Sequence, residues 1–333
     1  MNVTVLMADR CSSTSVSVAL EFFECANVLH QYSNRKFAVN STTPLPIPFQ
    51  VASASVDGRS VSCTGGLTLT PETSLAQIAN PDLVIVPGFM FNVLAVLPKQ
   101  GTLIDWLREC HAHGTYIASM CTGSFLSAQA GLLDGRFATT HWAFADQFRR
   151  RFPSVKLQTE RTVTDDGLVM CSGGSTTGTD LLLHMIRKFS SPQLASECAK
   201  NLLVDNATRS QLPYSSTTFK KGHNDAKILE VQIWMEKNLS RNIQMEHVID
   251  HFGFGMRNFI RRFKDATEQS PIQYLQSLRI ERAKHLLESS KTSFEQITLH
   301  VGYEDVNSFR RLFKEKVGLT PTLYRKRFET SRI

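Results

Sequence analysis

The chain has 333 residues, of which 42% are hydrophobic and 20% charged, with a formal net charge of +7. Its length exceeds one ordinary domain of roughly 100–200 residues, and its balance excludes a disordered or membrane-spanning chain in favour of a globular one with ample core. The charge is uneven: residues 1–219 carry 16 Lys and Arg against 16 Asp and Glu, while residues 220–333 carry 21 against 14. A basic last third favours nucleic acid or an acidic surface as partner, with a solvated basic face as the plainer alternative.

The start, MNVTVLMADRCSS, lacks a basic n-region, an apolar h-region and a small-residue cleavage site. No later stretch approaches ~18 uninterrupted apolar residues, so a cytoplasmic protein with no membrane partner is expected. Cysteines 11, 25, 63, 110, 121, 171 and 198 are scattered without close CxxC pairs, which predicts buried small hydrophobes instead of a disulfide framework.

In chain order, VTVLMA (3–8) reads as a strand and ALEFFECANVL as helix, followed by the strand-like FQVASAS (49–55) and DLVIVPG (82–88). TLIDWLRECHAHG is helical, TYIASMC (115–121) a strand, FLSAQAGLL a helix, and RFATTH (136–141) and LVMCSGG (168–174) further strands. TTGTDLLLHMIRKF and SPQLASECAKNLLV close the series as helices. Strands apolar on both faces and alternating with helices predict an α/β fold with a mostly parallel sheet covered on both sides. Ligands bind such sheets at the carboxyl ends of strands, where VPG, CTG and TTH fall.

DNATRSQLPYSSTTFKKGHND (205–225) is polar and without apolar period, a linker between a domain at 1–204 and another at 226–330. The last third repeats itself. Phe259 and Phe309, Phe263 and Phe313, Lys264 and Lys314, Pro271 and Pro321, and Tyr274 and Tyr324 are each 50 residues apart. Each block reads as helix, Gly turn, helix: MEHVIDHF before Gly253, FEQITLHV before Gly302. The Phe pairs at i and i+4 face a core, which leaves Arg257, Asn258, Arg261 and Arg262 of one block, and Asn307, Arg310 and Arg311 of the other, pointing outward. Arg and Asn read guanine and adenine edges bidentately in the major groove. IQYLQSLRIERAKHLLESS (272–290) is an amphipathic stretch suited to spacing the two blocks.

These features, along YLQSLRIERAKHLLESSKTSFEQITLHVGYEDVNSFRRLFKEKVGLTPTLYRKRF, make residues 226–328 resemble the AraC/XylS family of transcription regulators. The resemblance implies an all-α double helix-turn-helix domain, double-stranded operator DNA as partner, RNA polymerase as a contact, and activation as the outcome. Two reading helices in successive major grooves imply half-sites about 10 bp apart. The chain departs from that family at Glu268, where Gly is usual, and at Val248, Ile249 and Thr298.

Upstream, YIASMCTG runs a strand straight into a helix through Cys121, the geometry of a nucleophile elbow, and a helix N-terminus there would lower a thiol pKa. ATTHW (138–142) brings His141 to the same edge, where a Cys–His pair could generate a thiolate. With DLVIVPG and SGGSTTGTDLLLH, these motifs make residues 1–190 resemble the ThiJ/PfpI superfamily, of flavodoxin-like, class I glutamine-amidotransferase-like fold. The domain order together with CTG…AGLLDGRFATTHW is similar to the GlxA subgroup of regulators. That similarity implies a first domain that senses a small metabolite, an amino acid or quaternary amine.

Two departures weigh against chemistry. CSSTSVS (11–17) has no carboxylate where enzymes of the superfamily carry a Glu beside the thiol, and Phe89 follows VPG where a second Gly is common. Phe89, Cys121, Thr122 and His141 are therefore the expected ligand site. Cys121 stays open between nucleophile, pocket lining and structural residue, and His141 between pocket and structural roles. A Cys-dependent hydrolase or amidase carrying a DNA-binding domain is the alternative. No cofactor and no metal site are expected: His111 and His113 in HAHG show no metal-ligand spacing to a Cys or acidic partner, and SGGSTTG lacks a phosphate-loop ending. A homodimer formed through the first domain is a further expectation.

Overall fold

Strands β1 (Asn2–Leu6), β2 (Gln50–Ser55), β3 (Val61–Ser62), β4 (Thr68–Leu69), β5 (Thr73–Ser74) and β6 (Leu83–Val86) precede β7 (Tyr116–Met120), β8 (Phe137–Ala138), β9 (Lys156–Leu157), β10 (Val163–Asp166) and β11 (Val169–Ser172). The structure is a computed structural model that describes residues 1–37, 47–174, 176–205, 210–217 and 219–330. It divides into two units, Met1–Gln211 and Leu212–Ile333. The division falls inside the stretch 205–225; residues 206–209 and 218 of that stretch, and Ser175 of SGGSTTG, lie outside the described residues.

The first unit is built on a seven-stranded sheet of order β10-β11-β7-β6-β1-β2-β5. All neighbours are parallel except β10, which pairs antiparallel with β11. Every residue of β6 and β11 is buried, and all of β1 but Asn2, so both faces need cover. Helices α1 (Ser13–Phe37), α2 (Val93–Val96), α3 (Gly101–Ala112), α4 (Ser124–Gln129), α5 (Ala145–Arg151), α6 (Gly178–Phe189) and α7 (Pro192–Asn201) supply it. Helices α1, α6 and α7 pack on one another, and α3 packs on α4. The fold is α/β and flavodoxin-like.

RFATTH departs from expectation, because only Phe137–Ala138 is strand and it pairs with β9 outside the main sheet. The place beside β11 is taken by β10, which reaches it through the two-residue turn Gly167–Leu168 with Gly167 at a φ of 74°. A Gly-led two-residue turn is the tightest antiparallel connection available. It outcompetes a strand that must cross from elsewhere.

The second unit holds α8 (Ala226–Asn238), α9 (Met245–Phe252), α10 (Met256–Thr267), α11 (Pro271–Ser289), α12 (Phe294–His300), α13 (Val306–Val317) and α14 (Pro321–Phe328). Two separate apolar cores result, one around Phe259, Phe263 and Tyr274, the other around Phe309, Phe313 and Tyr324. Ser270 with Gln273, and Ser293 with Gln296, start α11 and α12 by reciprocal capping boxes, which satisfies N–H groups that have no partner within the helix. Gly253 and Gly302 turn the chain at φ of 62° and 82°. A Cβ on Gly302 would lie 2.6 Å from the Leu239 carbonyl oxygen, so that corner closes only around glycine.

The long helix α11 ties the two blocks by a buried arginine. Arg279 donates from Nε to the Leu239 carbonyl at 3.2 Å and from Nη2 to that of Arg241 at 2.8 Å, with its guanidinium 5.0 Å from the Tyr303 ring. Leu212–Tyr214, within the expected linker, forms a short turn with Pro213 buried, Leu212 against Gly318 and the Tyr214 ring 5.4 Å from Phe328.

Candidate functional site

Strand β7 ends at Met120, and Cys121 takes a φ of 54° before the turn Cys121–Gly123 leads into α4. A left-handed non-glycine residue costs about 1–2 kcal/mol and persists only where its surroundings overdetermine it. Here they do. A Cβ on Gly123 would lie 2.6 Å from the Pro87 carbonyl oxygen, and one on Gly88 would lie 3.2 Å from Cys121 Cβ. The Cys121 carbonyl accepts from Ser124 Oγ at 3.0 Å and from Thr140 Oγ1 at 3.4 Å.

The elbow geometry of YIASMCTG is present, but the thiol is not activated. Cys121 is 3% exposed, and burial pushes its thiol up to about 11, against the opposing hydrogen bonds of Thr122. The expected lowering by the helix start is thus corrected: α4 is a helix of 6 residues, and desolvation outweighs it. About one thiol in 10⁴ is ionised at pH 7. No carboxylate acts on it among the described residues.

Both amides after β6 are closed by hydroxyls. Gly88 N–H donates to Ser15 Oγ at 3.4 Å, and Phe89 N–H to Thr122 Oγ1 at 2.8 Å. Ser15, from CSSTSVS, lies against Gly88 beside the thiol. The amide that would bind an oxyanion in an enzyme is therefore already paired. Phe89 and Thr122 are wholly buried, with the Phe89 ring in the core.

His141 is half-buried and caps the turn Trp142–Phe144, its Nδ1 accepting from Ala143 N–H at 3.2 Å. Burial pulls its pKa down, so the ring is neutral at pH 7. Among the described residues no hydrogen bond joins it to Cys121; the two are linked through Thr140. Beside it lies an aromatic group whose Phe91 and Phe144 the sequence does not tie to His141. His141 is 5.5 Å from Trp142 and 6.0 Å from Phe144, and Phe144 is 6.0 Å from Phe91, which is 81% exposed. FMFN after VPG was the available signal, but only the fold brings it to TTHW.

In the second unit Arg257, Asn258 and Arg261 on α10, and Asn307, Arg310 and Arg311 on α13, are exposed. Each face carries an Asn–Arg pair, shifted by one residue between the blocks, because Asn258 and Arg261 fall at the repeat positions of Ser308 and Arg311. Arg261 Nη2 donates to Asn258 Oδ1 at 3.1 Å, and Arg310 Nη1 to Asn307 Oδ1 at 3.3 Å. Arg311 donates to Ser308 Oγ at 3.3 Å, and Arg310 also meets Glu295 at 3.2 Å. Arg262 corrects the outward expectation: its fork closes on Asp225 at 2.8 and 2.6 Å, and holds that carboxyl below the ordinary range. It fastens α10 to the start of α8.

The chain belongs to the DJ-1/PfpI family, which matches residues 2–188, and it also carries a helix-turn-helix domain matched over residues 248–327. Regulators with this same pairing are among its relatives. The HTH-type transcriptional regulator CdhR of Pseudomonas aeruginosa is 27% identical over 269 residues, 80% of this chain and 79% of that protein. GbdR of the same species is 26% identical over 322 residues, 96% of this chain and 83% of that one. An isonitrile hydratase of Pseudomonas putida is 34% identical over 129 residues, 38% of this chain and 54% of the enzyme. The crystal structure of Drosophila melanogaster DJ-1beta shares the first unit's fold, with a TM-score of 0.50 at 22% identity over 61% of this chain and 98% of that one. No helix among the described residues is long and apolar enough to cross a membrane.

Proposed function

We propose that the chain is a sequence-specific DNA-binding transcription activator whose first unit senses a small metabolite without turning it over. The observation that carries the second half is the pairing of the Gly88 and Phe89 amides with Ser15 and Thr122 beside a protonated thiol. In such a site these two amides are closed to an oxyanion and the thiol is held in its protonated form. The ligand sits at the strand ends against His141, with Phe91 and Trp142 as rim, over the layer formed by the buried Phe89, Cys121 and Thr122. An aromatic rim around a neutral imidazole suits a quaternary amine, held by attraction to the ring faces, or an amino acid presenting its ammonium. The segment 205–225 transmits occupancy to residues 226–330, where Arg257, Asn258, Arg261, Asn307, Arg310 and Arg311 meet operator DNA. RNA polymerase and a second copy of the chain complete the assembly, in the cytoplasm.

A thermal-shift screen of amino acids and quaternary amines against wild type, Cys121→Ala and Phe91→Ala tests this. A ligand that raises wild-type Tm should lose most of its effect in Phe91→Ala and part of it in Cys121→Ala. Equal shifts in all three chains would remove the site. The strained φ at Cys121 and the hydratase relative favour one second reading, a Cys-dependent enzyme with a DNA-binding domain. Turnover of a screened metabolite, abolished in Cys121→Ser, would establish it.

A further inference from the structure

Gln211 lies in the polar stretch 205–225 expected to be a linker, yet it is 3% exposed. Its carboxamide fills a socket in the first unit. Nε2 donates to Thr139 Oγ1 at 3.1 Å, to the Thr140 carbonyl at 3.0 Å and to the Arg161 carbonyl at 3.0 Å, while Oε1 accepts from Trp142 N–H at 3.1 Å. Its backbone N–H donates to the Glu160 carbonyl at 3.0 Å. The space exists because residue 173 has no side chain: a Cβ there would lie 1.9 Å from Gln211 Nε2.

The chemistry of this socket selects a primary carboxamide. Three acceptors converge on the amino group and one donor on the oxygen, and among side chains only Asn and Gln set an NH2 donor beside a separate carbonyl acceptor at one end. Glutamate would set an anionic oxygen against three acceptors, and lysine would leave the Trp142 amide unpaired and buried. The socket also adjoins the proposed ligand site. Thr140 donates to the Cys121 carbonyl, and the His141 ring lies 3.8 Å from where a Cβ on Gly174 would stand. Downstream, one peptide bond separates Gln211 from a segment fastened to the second unit. There the Ser215 carbonyl accepts from Lys284 Nζ at 2.5 Å, and Thr217 N–H donates to Glu281 Oε1 at 3.0 Å.

We propose that Gln211 is a latch, an in-chain amide that occupies the socket in the unliganded protein and leaves it when a ligand reorders Thr140–Trp142. Its release frees the segment leading into the DNA reader and raises affinity for the operator. The latch rests on the regulator reading above and specifies where that regulation acts. It assigns a role to a residue whose hydrogen-bond partners come from two other stretches of the first unit, 139–142 and 160–161.

The test uses the full chain and needs no known ligand. A DNA duplex enriched from a random library by the wild-type chain supplies the probe, and hydrogen-exchange mass spectrometry reports the latch. In Gln211→Glu, exchange across 139–142 and 210–217 should rise at least tenfold while 83–86 and 309–313 keep wild-type rates. The same variant should bind the enriched duplex at least threefold more tightly. Unchanged exchange would overturn the latch as a grip, and faster exchange with wild-type affinity would overturn it as a switch. If Gln211→Glu loses protection at 83–86, Gln211→Asn, which keeps the amide but shortens its reach, carries the same two readings. A wild-type chain that enriches no sequence sinks the regulator reading itself, and is told apart because the exchange data still report the grip.

Discussion

Cys121 illustrates how a residue's position and its reactivity separate. The backbone puts it at a strained elbow, while burial holds its thiol at about 11 against an ordinary 9.0. The thiolate fraction at pH 7.4 is then about 100-fold below that of a free cysteine. Iodoacetamide should therefore label native Cys121 at least that much more slowly than an unfolded control, with the rate still climbing above pH 10. Peptide mass spectrometry checks this, and labelling that saturates below pH 8 would contradict it. Glu268 is a second strained residue, with a φ of 64° where its repeat partner is Gly318 at 75°. Glu268→Gly should raise stability by no more than about 1 kcal/mol in urea titration. The relief of left-handed strain, about 1–2 kcal/mol, is offset by added chain entropy and a lost exposed ion pair with Lys220 at 3.0 Å.

At the scale of elements, helices α10 and α13 each present an Asn–Arg pair three residues apart, hydrogen-bonded and preset for a planar base edge. Arg261→Ala, Arg310→Ala and Arg311→Ala should each cost about 1–3 kcal/mol on the enriched duplex and relax preference at one base position. Arg262→Ala should instead lower stability with little change of sequence preference, because its fork is committed to Asp225. Anisotropy titrations beside urea melts separate the two classes. The repeat spacing made these helices legible, since Phe at i and i+4 dictates which face is inward. Arg262 was misread because Asp225 approaches from another helix, outside the repeat. RFATTH was misread for a similar reason, since its apolar pattern does not record that β10 already holds the sheet edge.

At the scale of the molecule, the Asp225–Arg262 pair gives the second unit a dependence on acid. Asp225 is held below its unfolded value by Arg262, so the contribution is full above about pH 4 and is lost as pH falls through the lowered folded value. The stability gap between wild type and Asp225→Asn should be widest at pH 7 and shrink below about pH 4, as read from urea midpoints. The loss of the gap already at pH 6 would contradict the pairing.

Sequence alone determined the two-part plan, the covered parallel sheet, the repeated helix-turn-helix and the elbow at Cys121. Each is written in local periodicity or in the turn chemistry of a few adjacent residues. Only the tertiary structure decided that the Phe89 amide is closed by Thr122, that the thiol is protonated, that Phe91 joins His141 and Trp142, and that Gln211 is anchored. Hydrogen-bond partners and desolvation come from residues 33 to 72 positions apart, and no window along the chain contains both members of such a pair.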